Sequence, residues 1–379
     1  MALKLAHLDS LDAPGLQAAW QRLSAASPHA SLFNTYEWCY CWAGTFGSRC
    51  HPCILLAEDE SGQAVGLLPG CLDHTGTGRW VKLMGRDGVS GDHLDLLCLP
   101  QQHEPSLSLV LDCLRDGRLA DGLIMAEIHR NSPTATLLRD WSGQHGCPLR
   151  ESEPRIVPRL ELPASFDAYL ETLSANMRYH VRRRTRTLTR TPGAAIRTAR
   201  DPDDLEQALT NLFELHQRRW QRDRRPGNFG NPLKREFLRR FCRLAGPRDW
   251  VRAHVLELDG RVVGVLLAFH WRGTASFYQM GWDPDCPLPS PGVVLLANSV
   301  RQAIAERMRC YDFLRGDEAY KWKWTSAFIE QITLTVGWSP TARAAIAAAR
   351  LKDGCKRAFQ QTFGAQNWER MKRLVRVHH

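Results

Sequence analysis

The chain has 379 residues, 44% hydrophobic and 24% charged, values that suit a globular protein of one large domain or two smaller ones. No apolar run approaches the ~20 residues needed to cross a bilayer, and the N-terminus lacks a signal-peptide pattern, so we expect a cytoplasmic protein. The net charge of +10 is unevenly distributed along the chain. Residues 1–150 hold 11 Lys and Arg against 16 Asp and Glu, whereas the remaining residues hold 39 against 24, which places an anionic ligand with the second half.

Twelve cysteines are spread along the chain between Cys39 and Cys355. In a reducing compartment they are expected to be small buried side chains. The group that includes Cys50 and Cys53 contains only one C-x2-C pair, whereas zinc ribbons use two. No metal site is therefore expected.

The first half mixes short strands and helices. Helices are predicted over residues 14–25, 104–116 and 132–145, and within the aromatic segment 31–47 that contains Trp38. Strands are predicted over residues 52–59, 64–74, 80–85, 93–99 and 122–129. This mixture indicates an α+β or α/β sheet layer. The loop 85–93 is rich in glycine, charge and hydroxyls, as functional loops and ordinary turns both are.

A proline-rich linker is predicted over residues 147–163, followed by helices over residues 166–173 and 175–189. The second helix carries five arginines, among them Arg178 and Arg182, and Arg190 follows it directly. Three interpretations stay open: a solvated basic face, a face that contacts phosphate groups, or a nucleic-acid contact.

In the second half, a strand is predicted over residues 195–199 and helices over residues 201–220 and 233–244. A three-stranded meander is predicted to follow, with strands over residues 250–258, 262–271 and 274–282. Asp259-Gly260 is a strong hairpin signal. A proline-rich loop follows and ends at a helix for which Ser290 is the expected N-cap and Pro291 the first residue. Beyond it we predict strands over residues 310–314 and 331–336 and a helix over residues 342–363.

A loop that leads into a helix start directs free backbone N–H groups at whatever lies above it, so this segment is either an anion site or an ordinary crossover. The helix is followed by YDFLRGDEAYK (311–321). In this order, residues 250–324 resemble the GNAT acyltransferase superfamily, and more closely its CelD/BcsL-type, cellulose-biosynthesis branch. The resemblance extends over most of residues 31–336 and also reaches Fem-type transferases.

The resemblance implies an α/β (α+β) fold of two tandem GNAT-like domains, whose mixed, mainly antiparallel sheets are flanked by helices. We expect a degenerate N-terminal domain over residues 1–155 and an acyltransferase domain with a C-terminal helix over residues 156–379. The resemblance also implies that coenzyme A lies against seven residues: Gln279, Met280, Gly281, Ser290, Pro291, Gly292 and Val293. The family's glycine-rich Q/R-x-x-G-x-G/A loop is absent, and Gly292 is the only glycine between Gly281 and the helix.

Acyl transfer from a thioester to an amine needs a base for the amine and an acid for the thiolate. Asp317 or Glu318 is the expected base and Tyr320 the expected acid, although the same residues could form a salt-bridged turn that caps the sheet. Expected substrate contacts are Trp38, Arg178, Arg182, Asp312, Arg315 and Lys321.

The sequence therefore predicts an acyl-CoA-dependent N-acyltransferase that acetylates or acylates an amine of a small molecule or cell-surface glycan precursor without a covalent acyl-enzyme. Two alternatives stay open. A Fem-type aminoacyl-tRNA-dependent transferase would use the arginines as RNA contacts, and an inactive GNAT-fold scaffold for polysaccharide biosynthesis would explain the missing glycine loop. Apart from tRNA under the first alternative, no nucleic acid is expected as a partner.

Overall fold

A computed structural model of the protein describes residues 3–222 and 227–363. The fold is built on one 14-stranded mixed sheet, mainly antiparallel, with helices on both faces. Among the described residues, no helix is long and apolar enough to cross a membrane. The sequence QRRWQRDRRPGNFGN (217–231) predicts a basic, glycine-containing loop, and four of its residues, 223–226, lie outside the described part of the chain.

The first half of the chain contains eight strands and four helices. They are β1 (Lys4–Leu8), α1 (Leu16–Ala26), α2 (Tyr36–Phe46), β2 (Cys50–Glu58), β3 (Ala64–Thr75), β4 (Gly78–Leu83), β5 (Leu97–Cys98), α3 (His103–Asp116), β6 (Gly122–His129), α4 (Pro133–Gln144), β7 (Leu149–Glu151) and β8 (Arg155–Glu161).

Within its described residues, the second half adds six strands and six α-helices. They are α5 (Phe166–Thr172), α6 (Ala175–Arg190), β9 (Ala194–Ala199), α7 (Pro202–Arg222), α8 (Pro232–Ala245), β10 (Val251–Leu258), β11 (Arg261–Trp271), β12 (Thr274–Trp282), α9 (Pro291–Ala305), β13 (Cys310–Asp312), β14 (Phe328–Gly337) and α10 (Pro340–Phe363).

The two halves repeat one topology. Each half contains a strand and two helices, then a three-stranded antiparallel meander, and then a helix that returns to a strand parallel to the last strand of the meander. In the second half, α5 and α6 precede this unit. That last parallel pair is β4 with β6 in the first half and β12 with β13 in the second. The repeat agrees with the expected tandem GNAT-like fold.

The halves also exchange strands. The order across the sheet is β1-β2-β3-β4-β6-β14-β8-β13-β12-β11-β10-β9. Strand β14, from near the end of the chain, pairs with β6 of the first half, and β8 pairs with β13 of the second half. The predicted domain boundary between residues 155 and 156 falls at the start of β8 and stays a prediction.

Local sequence explains the best-formed elements. The Asp259-Gly260 turn joins β10 to β11 with φ angles of 50° and 75°, the left-handed pair that a two-residue hairpin needs. Ser165 and Ser174 cap α5 and α6, since each side chain accepts a hydrogen bond from a backbone N–H in the first helical turn. Thr35 does the same for α2.

A cluster of aromatic rings joins α2 to the second half. The Trp38 ring is fully buried and lies 4.7 Å from Phe237, 4.8 Å from Phe241 and 5.9 Å from Tyr278 between ring centroids. Its indole N–H donates to the carbonyl of Gly85 at 2.8 Å. The helix within the aromatic segment 31–47 is therefore part of the core and ties the two halves together.

Several predicted boundaries were wrong. The predicted strand 93–99 is reduced to the two residues of β5, and β13 ends at Asp312 rather than residue 314. The predicted linker 147–163 contains β7 and β8, because both find partners far away in the chain on β13 and β14.

The expectation that all cysteines are unpaired was also wrong. Cys50 and Cys71 form a disulfide between the neighbouring strands β2 and β3, with Cα atoms 5.6 Å apart. Their separation of 21 residues gave no sign of this pairing, which follows from the hairpin register that sets Pro52 opposite Cys71.

Candidate functional site

A large opening in the second half lies where its two parallel strands separate. Strand β12 pairs with β13 only over Thr274–Ser276, after which β13 ends and β12 continues to Trp282. A bulge leaves Tyr278 without a partner on β11, since Leu267 faces Gln279 and Ala268 faces Phe277. Bulges bend a strand and interrupt its ladder. Backbone groups on this edge of β12 therefore border an open cleft.

This cleft, here called the split-strand cavity, has a volume of about 750 Å³. That volume lies within the ~300–1,000 Å³ typical of cofactor and ligand pockets. Its walls come from β12, the starts of α6 and α9, the end of α7 and the turn after β13. The lining residues are Ser174, Asn176, Met177, His180, His216, Arg219, Trp220, Asn228, Phe277, Gln279, Met280, Trp282, Ser290, Pro291, Gly292, Val293, Leu296, Glu318, Tyr320, Lys323 and Trp324.

Six of the seven expected cofactor residues line this cavity: Gln279, Met280, Ser290, Pro291, Gly292 and Val293. Gly281 does not. A Cβ at Gly281 would lie 2.6 Å from the backbone nitrogen of His216, so this glycine lets β12 pack closely on α7.

The start of α9 differs from the expected cap. Ser290 is the N-cap residue, but its backbone is left-handed, with φ 59° and ψ 58°, and its side chain accepts no hydrogen bond from the helix. The expected side-chain cap was therefore wrong. Because Pro291 has no N–H, Gly292 provides the first N–H of the helix. A Cβ at Gly292 would lie 3.2 Å from Met280 and 3.3 Å from Trp282, against the cavity wall.

The cavity has an apolar interior and a basic edge. Met177, Leu296 and Trp324 are buried side chains of its interior. At the edge, the Arg219 guanidinium lies 3.8 Å from the centre of the Trp282 ring, a cation–π contact, and Lys323 is exposed. This division suits an elongated ligand with an apolar arm and an anionic end.

The turn after β13 contributes Glu318 and Tyr320 to the cavity, whereas Asp317 is exposed and does not line it. The Lys321 ammonium lies beneath this turn. It donates to the carbonyls of Leu314 and Arg315 at 3.1 and 3.0 Å and pairs with Glu318 at 2.9 Å. Lys321 therefore holds the turn in shape.

The Tyr320 phenol is kept in its protonated form. Burial of the phenol raises its pKa, and the neighbouring Glu318 carboxylate raises it further. A neutral phenol next to a carboxylate is a pair suited to proton transfer.

Asp312 and Arg315 lie away from the split-strand cavity. Side chains alternate along β13, so Tyr311 and Phe313 face the core beneath α9 while Asp312 points to the opposite face of the sheet. There the Asp312 carboxylate is 3.0 Å from Nε2 of His93, so its partner is His93 rather than Arg315. Arg315 instead pairs with Glu127 of the first half at 2.7 Å.

Three other expected substrate residues are also outside the cavity. Arg178 and Arg182 both pair with Glu171, at the end of α5, and Trp38 belongs to the aromatic core. Of the expected substrate contacts, none is among the residues that line the split-strand cavity.

His216 is a cavity residue that the sequence did not single out. Burial lowers its pKa to about 4, and the nearby Arg219 charge acts in the same direction, so the imidazole is neutral at physiological pH. Its Nε2 accepts a hydrogen bond from the indole N–H of Trp220 at 2.9 Å. In the sequence it appears as a single histidine on the apolar face of a helix, a pattern typical of core residues.

Comparisons with known proteins agree with this architecture. Residues 175–322 match the family model described as an acetyltransferase (GNAT) domain. No curated protein sequence matches the chain significantly. The CelD/BcsL resemblance therefore stays a prediction.

Among solved structures, the chain resembles FemX with a TM-score of 0.64 at 10% identity, over 87% of this chain and 96% of that one. It resembles L-PGS from Bacillus licheniformis with a TM-score of 0.56 at 10% identity, over 91% of this chain and 98% of that one. It also resembles the C-terminal domain of a putative lysylphosphatidylglycerol synthetase from Agrobacterium fabrum, with a TM-score of 0.51 at 11% identity, over 88% of this chain and 95% of that one. Residues 175–322 are therefore similar to a GNAT domain, within a chain that shares its fold with FemX.

Proposed function

We propose that the protein is a cytoplasmic N-acyltransferase that transfers an acetyl or longer acyl group from coenzyme A to an amine of a small molecule or a glycan precursor. The observation that carries this proposal is the split-strand cavity, with a helix start on one wall and a carboxylate and a phenol on another. A thioester held between β12 and this second wall is open to attack by an amine.

The cavity accounts for both ends of the cofactor. Phosphate groups are favoured at the start of α9, where the Gly292 N–H and the helix dipole meet the basic edge formed by Arg219 and Lys323. The apolar pantetheine arm would lie along Met177 and Leu296.

The reaction is a direct transfer. The amine nitrogen attacks the thioester carbon, the C–S bond breaks, and an amide and a thiolate form. Glu318 takes the proton from the amine, either directly or through water, and Tyr320 gives its phenolic proton to the thiolate. Proton return from Glu318 to Tyr320 restores both residues. Positioning of the two substrates in one cavity supplies much of the acceleration.

Calorimetric titration with acetyl-CoA and with a long-chain acyl-CoA tests the proposal. We expect saturable binding that Gly292→Glu abolishes, since the carboxylate would occupy the cavity wall and repel phosphate groups. The matched control is Gly292→Gln, which has a similar shape but no charge and should retain more affinity. If the wild-type chain binds neither acyl-CoA, the acyl-CoA proposal is wrong.

A Fem-type aminoacyl-tRNA-dependent transferase is the second candidate, and the exposed arginines of α6 favour it. Arg183, Arg186 and Arg190 are exposed on a helix whose first turns line the cavity. Binding of tRNA through these residues would weaken steeply with added salt. Such binding, together with no affinity for acyl-CoA, would favour this candidate over the first.

A further inference from the structure

A second cavity lies on the opposite face of the sheet, where the two halves meet. This junction cavity has a volume of about 240 Å³. The first half contributes the segment from Pro28 to Phe33, together with His93, Asp95 and His129. Strand β8 contributes Arg159, and the second half contributes the turn between β11 and β12, Ser276, Arg309 and Asp312. None of these residues lines the split-strand cavity.

Two arginines, Arg272 and Arg309, give this cavity a positive charge that no direct ion pair neutralises among the described residues. Arg272 donates from Nη1 to the backbone carbonyls of Ser24 and Ser27 at 2.6 and 2.8 Å, and Arg309 donates to the backbone carbonyl of Arg272 at 3.2 Å. Within the described part of the chain, no carboxylate oxygen forms an ion pair with either guanidinium. Carbonyl acceptors hold the two groups in place without cancelling their charge.

The two guanidinium groups also act on each other. Burial lowers the pKa of Arg272, and the adjacent charge of Arg309 lowers it further. A third arginine of the lining, Arg159, has a carboxylate nearby, but that partner, Glu161, is 3.6 Å away and 77% exposed, so the pairing is weak. The lining therefore carries an excess of positive charge that a bound anion would neutralise.

The acidic residues of the cavity do not offset this charge. Burial alone would lower the pKa of His93, but the Asp312 carboxylate 3.0 Å away raises it, which favours an imidazolium that balances the Asp312 charge. Asp95 is buried, and its Oδ1 accepts hydrogen bonds from the Leu96 N–H and the Thr134 hydroxyl. Burial raises the pKa of Asp95, which favours its neutral form.

We propose that the junction cavity binds a small phosphate monoester, with the phosphate held by Arg272 and Arg309 and the hydroxyls of a polyol facing Ser276 and His129. Guanidinium forks match phosphate oxygens in charge and geometry. The volume is below the ~300 Å³ of the smallest typical drug-sized pockets, which restricts the ligand to a compact metabolite. The proposal is independent of the acyltransferase reaction.

Calorimetry on the full chain with glycerol 3-phosphate, inorganic phosphate and malonate tests this site. We expect one glycerol 3-phosphate per chain, bound more tightly than malonate. Arg309→Gln should weaken binding by about tenfold or more, the size expected for losing a hydrogen bond to a charged group. Arg307→Gln removes the same charge two residues away, outside the cavity, and should leave the affinity unchanged.

The same titration separates this site from the proposed cofactor site. Binding of glycerol 3-phosphate should persist in the presence of saturating coenzyme A and in Gly292→Glu. Loss of binding under either condition would place the phosphate in the split-strand cavity and overturn the proposal. So would no binding at millimolar concentration, or equal weakening by the two arginine variants. If Arg309→Gln fails to fold, Arg309→Lys, which keeps the charge but loses the fork, should show an intermediate affinity.

Discussion

Arg315→Met tests whether Arg315 connects the two halves or binds substrate. In the wild-type fold its guanidinium lies 2.7 Å from Glu127, and its backbone N–H donates to Asp92 at 2.9 Å. The Glu127 side chain is only 1% exposed, so loss of this partner is costly. Glu127 keeps Arg86 and Arg155, each at 3.2 Å, but their side chains are 32% and 57% exposed.

Because Glu127 keeps these two partners, we expect Arg315→Met to lower the free energy of unfolding by about 3 kcal/mol, the lower end of the range for breaking a buried ion pair. For 379 residues that unfold together, this corresponds to a drop in Tm of about 4 °C. Unfolding in guanidinium chloride, followed by tryptophan fluorescence, measures this loss of unfolding free energy.

A double-mutant cycle with Glu127→Gln completes the test. Once Glu127 is neutral, Arg315→Met should cost much less, because no buried charge remains unpaired. Arg183→Met, an exposed arginine of α6, is the control and should change stability by no more than ~0.5 kcal/mol. The reasoning is refuted if Arg315→Met is as mild as this control, and a loss of acceptor binding at unchanged stability would show instead that Arg315 binds substrate.

Three further substitutions test the site and the core. Tyr320→Phe should lower kcat by ~10²- to 10⁴-fold in a thiol-release assay at unchanged acyl-CoA affinity. Because burial raises the pKa of Tyr320, the wild-type rate should show no alkaline loss from this phenol up to about pH 9; an equally active Phe variant would remove Tyr320 from the mechanism. Asp312→Asn should lower the stability most between about pH 4 and 6.5. The raised pKa of His93 stabilises the fold at pH values below the pKa of an unfolded histidine, and the lowered pKa of Asp312 stabilises it at pH values above the pKa of an unfolded aspartate. That cost should shrink as the pH rises through the folded His93 pKa, and a pH-independent difference in urea unfolding would contradict this assignment. Trp38→Ala should destabilise the protein by ~3–5 kcal/mol through the cavity it leaves, as judged by its Tm, and Trp38→Phe by less; a stable Ala variant with altered acceptor preference would return Trp38 to the substrate site.

Elements fixed by local signals were predictable from the sequence. The Asp259-Gly260 hairpin, the capped starts of α5 and α6 and the Pro291 start of α9 each depend on a few neighbouring residues. Strands β8 and β14 depend instead on partners elsewhere in the chain, and no local pattern specifies them. The same limit applies to the Cys50–Cys71 disulfide.

The candidate site was predictable where its residues are close together in the chain. Gln279, Gly292, Glu318 and Tyr320 lie on consecutive elements of one meander and crossover, so their topology alone brings them together. The orientation of side chains was not predictable. Arg178 and Arg182 on α6 turn toward Glu171, since the sequence does not show which face of the helix meets the cavity.

The exchange of β8 and β14 has a consequence for biosynthesis. While the ribosome is still making the second half, β6 has β4 on one side but lacks the neighbour on its other side, because that neighbour is β14, at residues 328–337. An unpaired strand edge invites pairing with other chains. The first half should therefore need protection by a chaperone until β14 has emerged, and separate expression of the two halves should yield two aggregation-prone products.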